Sequence, residues 1–283
     1  MPHSRRDPAG ERVLQDAVRL AADRWGARFV AAYALGSLAH GGFSAHVSDV
    51  DLGLVLSDPL HQEDTDAVAA LAHSVKAGGA PLADRLSIFW GSPATLRGEA
   101  TGGRFPPLDR LDLLRYGRLL LGQDMRAMLP APTARELLIA GADFALQALA
   151  TPEVTAELRD PALLLNAGVR TLTKTVLFPV RFLYTARTGQ MGRNEAAVTH
   201  FTAPETGPVA DLARQGFAWR EEPPDPNDPS VLASLQRGLV PLYRLFVDEY
   251  AERLRQEGEL DRARAFEEWR QRLAEGEAGA SDG

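Results

Sequence analysis

Phe29-Val30-Ala31-Ala32-Tyr33-Ala34-Leu35-Gly36-Ser37 runs into a glycine-bearing loop, and Asp49-Val50-Asp51-Leu52-Gly53-Leu54-Val55-Leu56 leaves it. Both flanks are short apolar runs bounded by glycines, the pattern of buried strands. In a strand, residues i and i+2 share a face, so Asp49 and Asp51 project side by side. Val50, Leu52, Leu54 and Leu56 then point the other way, into a core. Two adjacent carboxylates repel unless a cation sits between them. An oxygen-only donor pair favours Mg²⁺, which keeps one or two carboxylates and borrows substrate phosphates. Gly36 lets backbone approach closely, and the Ser37 hydroxyl and backbone N–H can bond a phosphate oxygen. Gly41-Gly42 keeps the loop pliable. An isolated Asp-x-Asp would read as an exposed strand edge. Strand, Gly-Ser, loop, Asp-hydrophobic-Asp and strand together describe a nucleoside-triphosphate–Mg²⁺ site.

Working outward, Glu11 to Trp25 repeats apolar residues at three- and four-residue steps, predicting a helix stopped by Gly26. Asp64 to Ala77 reads as a helix ended by Gly78-Gly79, and Arg85 to Trp90 as a third strand. After Pro106-Pro107, Leu108 to Leu121 reads as a helix capped by Gly122. Pro130 and Pro132 mark a joint, and beyond Thr133 the patterns are helical throughout. The longest helix is expected from Pro161 to Thr188, with Asp160 as N-cap, Pro179 as a kink and Gly189 as the stop. Asn194 is expected to cap a helix through Phe201, and Glu221 to Pro229 to be a linker. Leu232 to Glu249 and Arg262 to Leu273 follow as helices, and the last ten residues should fray. The expected fold class is α/β (α+β): a small mixed sheet with flanking helices over 1–130, then an all-helical domain over 131–283.

The chain has 283 residues, 45% hydrophobic and 24% charged, which is enough to build a core. It has no cysteine, which excludes a disulfide scaffold and agrees with a cytoplasmic location. The formal charge of −7 argues against a nucleic-acid polymer and permits a cationic small molecule. No apolar run reaches the length of a membrane span, and the polar, proline-bearing start from Met1 to Arg12 is unlike a signal peptide.

Lysine occurs only at Lys76 and Lys174. Pro161 to Gly189 contains no acidic residue but carries Arg170, Lys174, Arg181 and Arg187. At about 100° per residue, Arg170, Lys174 and Arg181 fall within roughly 40° of one another. Unpaired cations on a largely apolar helix are costly and call for an anion. That anion is either the acidic side chains of another part of the chain or a triphosphate.

Leu35-Gly36-Ser37 through Asp49-Val50-Asp51-Leu52 resembles the signature of the polymerase-β-type nucleotidyltransferase superfamily. Gly36-Ser37-Leu38-Ala39-His40-Gly41-Gly42 is most similar to the aminoglycoside adenylyltransferases that modify streptomycin and spectinomycin. Pro179 to Gly189, followed by Arg193-Asn194-Glu195-Ala196-Ala197, is similar to the helical domain of the same family. The resemblance implies that Asp49 and Asp51 hold Mg²⁺, that Gly36, Ser37 and Ser48 serve the nucleotide, and that Arg181 and Lys174 meet its phosphates. A family lysine after the Thr-Gly reaches phosphate; here Asn194 takes that place, with Arg193 beside it. The family's third acid, a metal ligand or general base, has no counterpart in Leu86-Ser87-Ile88-Phe89-Trp90. Asp84, just ahead, can serve or can be a turn residue. Glu99, Asp109 and Asp112 are weaker substitutes; the last two sit in a helix that resembles the family's segment before Leu-x-Gly, where the resemblance implies a substrate-facing carboxylate, but they read first as a solvated helix face.

The expected reaction moves AMP from ATP to a hydroxyl of a small acceptor, on the resemblance an aminoglycoside, and releases pyrophosphate. The alternatives are a nucleotidyltransferase for another metabolite or a protein hydroxyl, and an inactive nucleotide-binding module.

Overall fold

Asp7 accepts the Gly10 N–H at 2.8 Å and Pro8 pre-sets the first turn, so the first helix, α1 (Pro8–Trp25), starts three residues ahead of the expected Glu11. The computed structural model describes residues 7–274; the first half of the polar start and all but Ala274 of the last ten residues lie outside that range. Contacts divide the chain at Pro132/Thr133 into two compact units.

In the first unit β1 (Phe29–Leu35) is followed by the short helix α2 (Gly36–His40), β2 (Val50–Leu56) and α3 (Asp64–Ala77). β3 (Leu86–Gly91), α4 (Pro93–Arg97), α5 (Pro107–Tyr116) and β4 (Arg118–Gly122) complete it. The sheet order is β3-β2-β1-β4, with β1 antiparallel to both neighbours and β2 parallel to β3. This is the small mixed sheet expected. One face buries Val50, Leu52, Leu54 and Leu56 against α1 and α3 through Val13, Leu14, Ala17, Leu71 and Val75. The other face gathers Tyr33, Leu35, Val55, Phe89, Leu96 and Leu113. Trp25 and Asp64 tie α1 to α3 through a buried hydrogen bond of 3.0 Å, reinforced by Arg28.

One expectation fails here. The predicted helix Leu108–Leu121 stops at Tyr116, where the Gly117 N–H closes onto Asp112 O and Leu113 O. Arg118–Gly122 is instead an edge strand on β1. Leu119, Leu120 and Leu121 continue a helical apolar pattern equally well, and only pairing with β1 selects the strand.

The second unit is all-helical among the described residues, with α6 (Ala134–Ala148), α7 (Pro152–Arg159), α8 (Pro161–Asn166) and α9 (Val169–Thr188). α10 (Asn194–Thr202), α11 (Gly207–Ala218), α12 (Pro229–Gln256) and α13 (Leu260–Ala274) follow. The single long helix expected from Pro161 is two. Asp160 does cap the first, but Gly168 at φ +87° breaks the chain before Val169. α9 then runs through Pro179 without ending. The core of this unit is aromatic: Tyr243, Phe246, Tyr250, Phe266 and Trp269 are fully buried between α12 and α13. Burial pushes the Tyr243 and Tyr250 hydroxyls far up, so both stay neutral and donate to the Thr175 and Phe182 carbonyls of α9. No single described helix is long and apolar enough to cross a membrane.

Candidate active site

Antiparallel pairing sets Leu35 opposite Asp51. The Gly36-Ser37 turn therefore begins where the Asp-x-Asp strand begins, although twelve residues separate Gly36 from Asp49. Residues opposite one another share a face. Asp51 thus lies with Leu35, while the leucines of β2 occupy the other face, as the alternation predicts.

Gly36 has φ +59°, and a Cβ there would run into Asp51 Oδ2. Only glycine satisfies both conditions. Its N–H donates to Asp112 Oδ2 at 2.5 Å. Asp112 is only 3% exposed, so the solvated helix face expected for it is wrong. The residue lies on the α5 side turned toward α2 and β1 rather than outward. Asp109 is half-buried on the same helix.

Asp49, Asp51 and Ser37 are all partly buried. Among the described residues no group of three His, Cys, Asp or Glu is arranged to hold a metal by itself. Asp51, which lies against a glycine that admits no side chain, and Asp49, two residues before it, offer oxygen donors of the kind that fit Mg²⁺, which takes its other ligands from phosphate and water.

The β2–β3 register sets Ser87 beside Asp51. Asp84 is exposed in the short turn Ala83–Arg85 ahead of β3. Arg85 went unremarked in the sequence, yet its guanidinium grips the Ala45 carbonyl at 2.6 Å and the Ser48 carbonyl at 3.5 Å. It braces the loop that delivers Asp49. Ser48 is buried, its hydroxyl accepting the Ser44 N–H at 3.0 Å, which fixes the same loop from inside. His40 stacks edge-on against Tyr116, and His46 is exposed. Trp25, Trp90, Trp219 and Trp269 are all buried, so packing accounts for them; Trp90 sits in the α1/α3 core.

In the helical unit, Arg170, Lys174 and Arg181 share α9, Arg170 exposed and the other two half-buried. Asn166 belongs to α8 and drops out of the stripe. Arg181 Nε donates to the Gly192 carbonyl at 2.7 Å. Arg193 directly precedes α10; Asn194 is the first helical residue and not its cap. Arg187 forms a two-pronged ion pair with Glu249, at 2.6 and 3.1 Å, and so is accounted for within its own unit. Burial alone would raise Glu249, but the bonds from Arg187 and Arg253 outweigh it and hold the carboxyl low. Arg220, after α11, is 95% buried by its 5% exposure, and burial lowers its pKa, with Arg181 pushing the same way and Glu221 opposing. The segment Trp219-Arg220-Glu221-Glu222 looks like surface in one dimension, so nothing local singled it out.

No family model matches this chain, and no curated protein matches it. Its fold is similar to that of a solved spectinomycin adenyltransferase from Enterococcus faecialis, determined with ATP and spectinomycin. The TM-score is 0.57 at 12% identity, and the match covers 80% of this chain and 96% of that one.

Proposed function

We propose that this protein is a Mg²⁺-dependent nucleotidyltransferase that moves AMP from ATP to a hydroxyl of a small, aminoglycoside-like acceptor. One observation carries the reading: the glycine of Gly36-Ser37 abuts Asp51 so tightly that no side chain fits between them. On this reading the Gly36-Ser37 segment binds phosphate and the carboxylate pair binds metal within one site. The fold it shares with an enzyme solved with ATP and spectinomycin supports the choice of nucleotide and acceptor class.

Asp49 and Asp51 would hold Mg²⁺, which would supply Lewis-acid stabilisation of the charge developing at the α-phosphate. Gly36 admits the nucleotide's phosphates, and Ser37 binds the β- and γ-phosphates through its hydroxyl. Ser48 and Arg85 keep the loop before Asp49 in shape. In the helical unit, Lys174, Arg181 and Arg193 are our assignment for neutralising the leaving pyrophosphate. The acceptor oxygen bonds to the α-phosphorus, the bond to the bridging oxygen breaks, and pyrophosphate leaves with its electron pair. Asp84 is our assignment for the base that takes the acceptor's proton.

A second reading, a nucleotide-binding module without turnover, is favoured by Ser87 standing beside Asp51 where a further acid would complete the site. Mass spectrometry of an acceptor panel with ATP, GTP, CTP and UTP separates the two. A gain of one AMP on an aminoglycoside, abolished by Asp51→Ala, supports the transferase. Nucleotide binding with no pyrophosphate from any acceptor supports the module. A gain on a protein hydroxyl redirects the acceptor assignment.

A further inference from the structure

α2 begins without a local cap: the residue before it, Leu35, offers no side-chain acceptor for the first amides. The acceptor comes from 76 residues away, where Asp112 Oδ2 takes the Gly36 N–H. A carboxylate is seldom buried without a specific partner. Asp112 is drawn inside on a helix whose neighbours Leu111 and Leu113 are core residues, and its own carbonyl closes that helix by accepting from Gly117. Its place along α5 is therefore set by the helix end. Gly36 is held on two sides, its amide on Asp112 and its α-carbon against Asp51.

We infer that Asp112 is a positioning residue for phosphate binding: by fixing the Gly36 amide it keeps Ser37 aimed at the nucleotide and Gly36 seated against Asp51. This rests on the nucleotidyltransferase reading above. Asp112 acts through Gly36 and does not touch substrate. Asparagine preserves the needed acceptor, its amide oxygen, while removing the charge and turning the other oxygen into an NH₂ donor; alanine removes the acceptor.

The test compares wild type, Asp112→Asn and Asp112→Ala in three measurements: hydrogen exchange at the Gly36 amide, Mg-ATP affinity by calorimetry, and the KM for ATP against kcat. Loss of a hydrogen bond to a charged group corresponds to roughly tenfold or more. In Asp112→Ala, Gly36 exchange should quicken and the KM for ATP rise by about that factor, with a smaller change in kcat. Asp112→Asn should restore both to within about threefold of wild type. Should alanine fail to fold, the asparagine variant decides alone: a folded Asp112→Asn with a tenfold higher KM overturns the inference. So does faster Gly36 exchange in Asp112→Ala with an unchanged KM, which makes the bond purely structural. If wild type binds no nucleotide, the proposed function falls and takes this inference with it. If nucleotide binds normally and only the Asp112 variants behave otherwise than stated, this inference alone falls.

Discussion

Replacing Gly36 with alanine asks the most of the site geometry. The backbone there has φ +59°, a region that costs an L-residue with a side chain about 1–2 kcal/mol. The new methyl would also lie well inside contact distance of Asp51 Oδ2, and overpacking of this kind costs about 1–3 kcal/mol. Asp51 cannot retreat into the sheet, because Leu52 and Val50 on either side are fully buried and its strand is paired on both edges. The carboxylate must turn or Gly36 must move, and either shifts a metal-binding oxygen by about 1 Å, far more than the ~0.2 Å a ligand set tolerates. The expected result is a stability loss of about 2–5 kcal/mol, read as a lower urea midpoint at unchanged slope. Mg²⁺-dependent pyrophosphate release should fall by about a hundredfold, the usual effect of misplacing a reacting group by that distance. A Gly36→Ala protein that unfolds at the wild-type midpoint and releases pyrophosphate at the wild-type rate refutes the close approach. One that is destabilised yet fully active keeps the strain but removes Asp51 from the metal.

Other consequences follow from particular contacts. Arg28 above all, then the His61 amide and the Trp25 indole, hold Asp64 far below the usual carboxylate range, overcoming burial that would raise it. A depressed acid stabilises the fold above its unfolded pKa of about 4 and loses that contribution as pH falls through lower values. Asp64→Asn should therefore cost about 3 kcal/mol at pH 7, and its gap from wild type should close as urea titrations move from pH 5 toward pH 2; a gap that widens in acid contradicts the pairing. Glu249→Gln leaves Arg187 and Arg253 with a neutral partner and should lower the melting temperature by about 5 °C, near 1.5 kcal/mol, with nucleotide affinity unchanged. Ser87→Asp adds a third carboxylate beside Asp51. It should lower the Mg²⁺ concentration giving half-maximal pyrophosphate release by about tenfold, and an increased requirement would show that the register does not bring the two side chains to one ion.

Much of the first unit was legible in one dimension because its signals are local. β1 and β2 announce themselves by short apolar runs, by alternation and by glycine at the turn, and α3 by a helical run ending in Gly78-Gly79. The strand period places Asp51 on the face opposite the leucines of β2, but β2 begins at Val50, so Asp49, expected as its first residue, precedes the strand. What remained hidden depends on partners far along the chain. Leu119 to Leu121 could prolong α5 or form an edge strand, and only the open side of β1 decides between them. Gly168 could sit within a helix at modest cost; the packing of α8 and α9 makes it a break. Asp112 has the spacing of a surface residue, and α5 buries it because α2 needs an acceptor from outside its own segment. Which residue of β3 stands next to Asp51 is a matter of register, and no feature of Leu86 to Trp90 names Ser87 by itself. The composition, the strand–turn–strand motif and the switch to helices near Pro132 are written in neighbouring residues. The second carboxylate on Gly36, the arginine under the Asp49 loop and the buried Arg220 exist only once distant segments meet, because burial and hydrogen-bond satisfaction are settled by the whole unit.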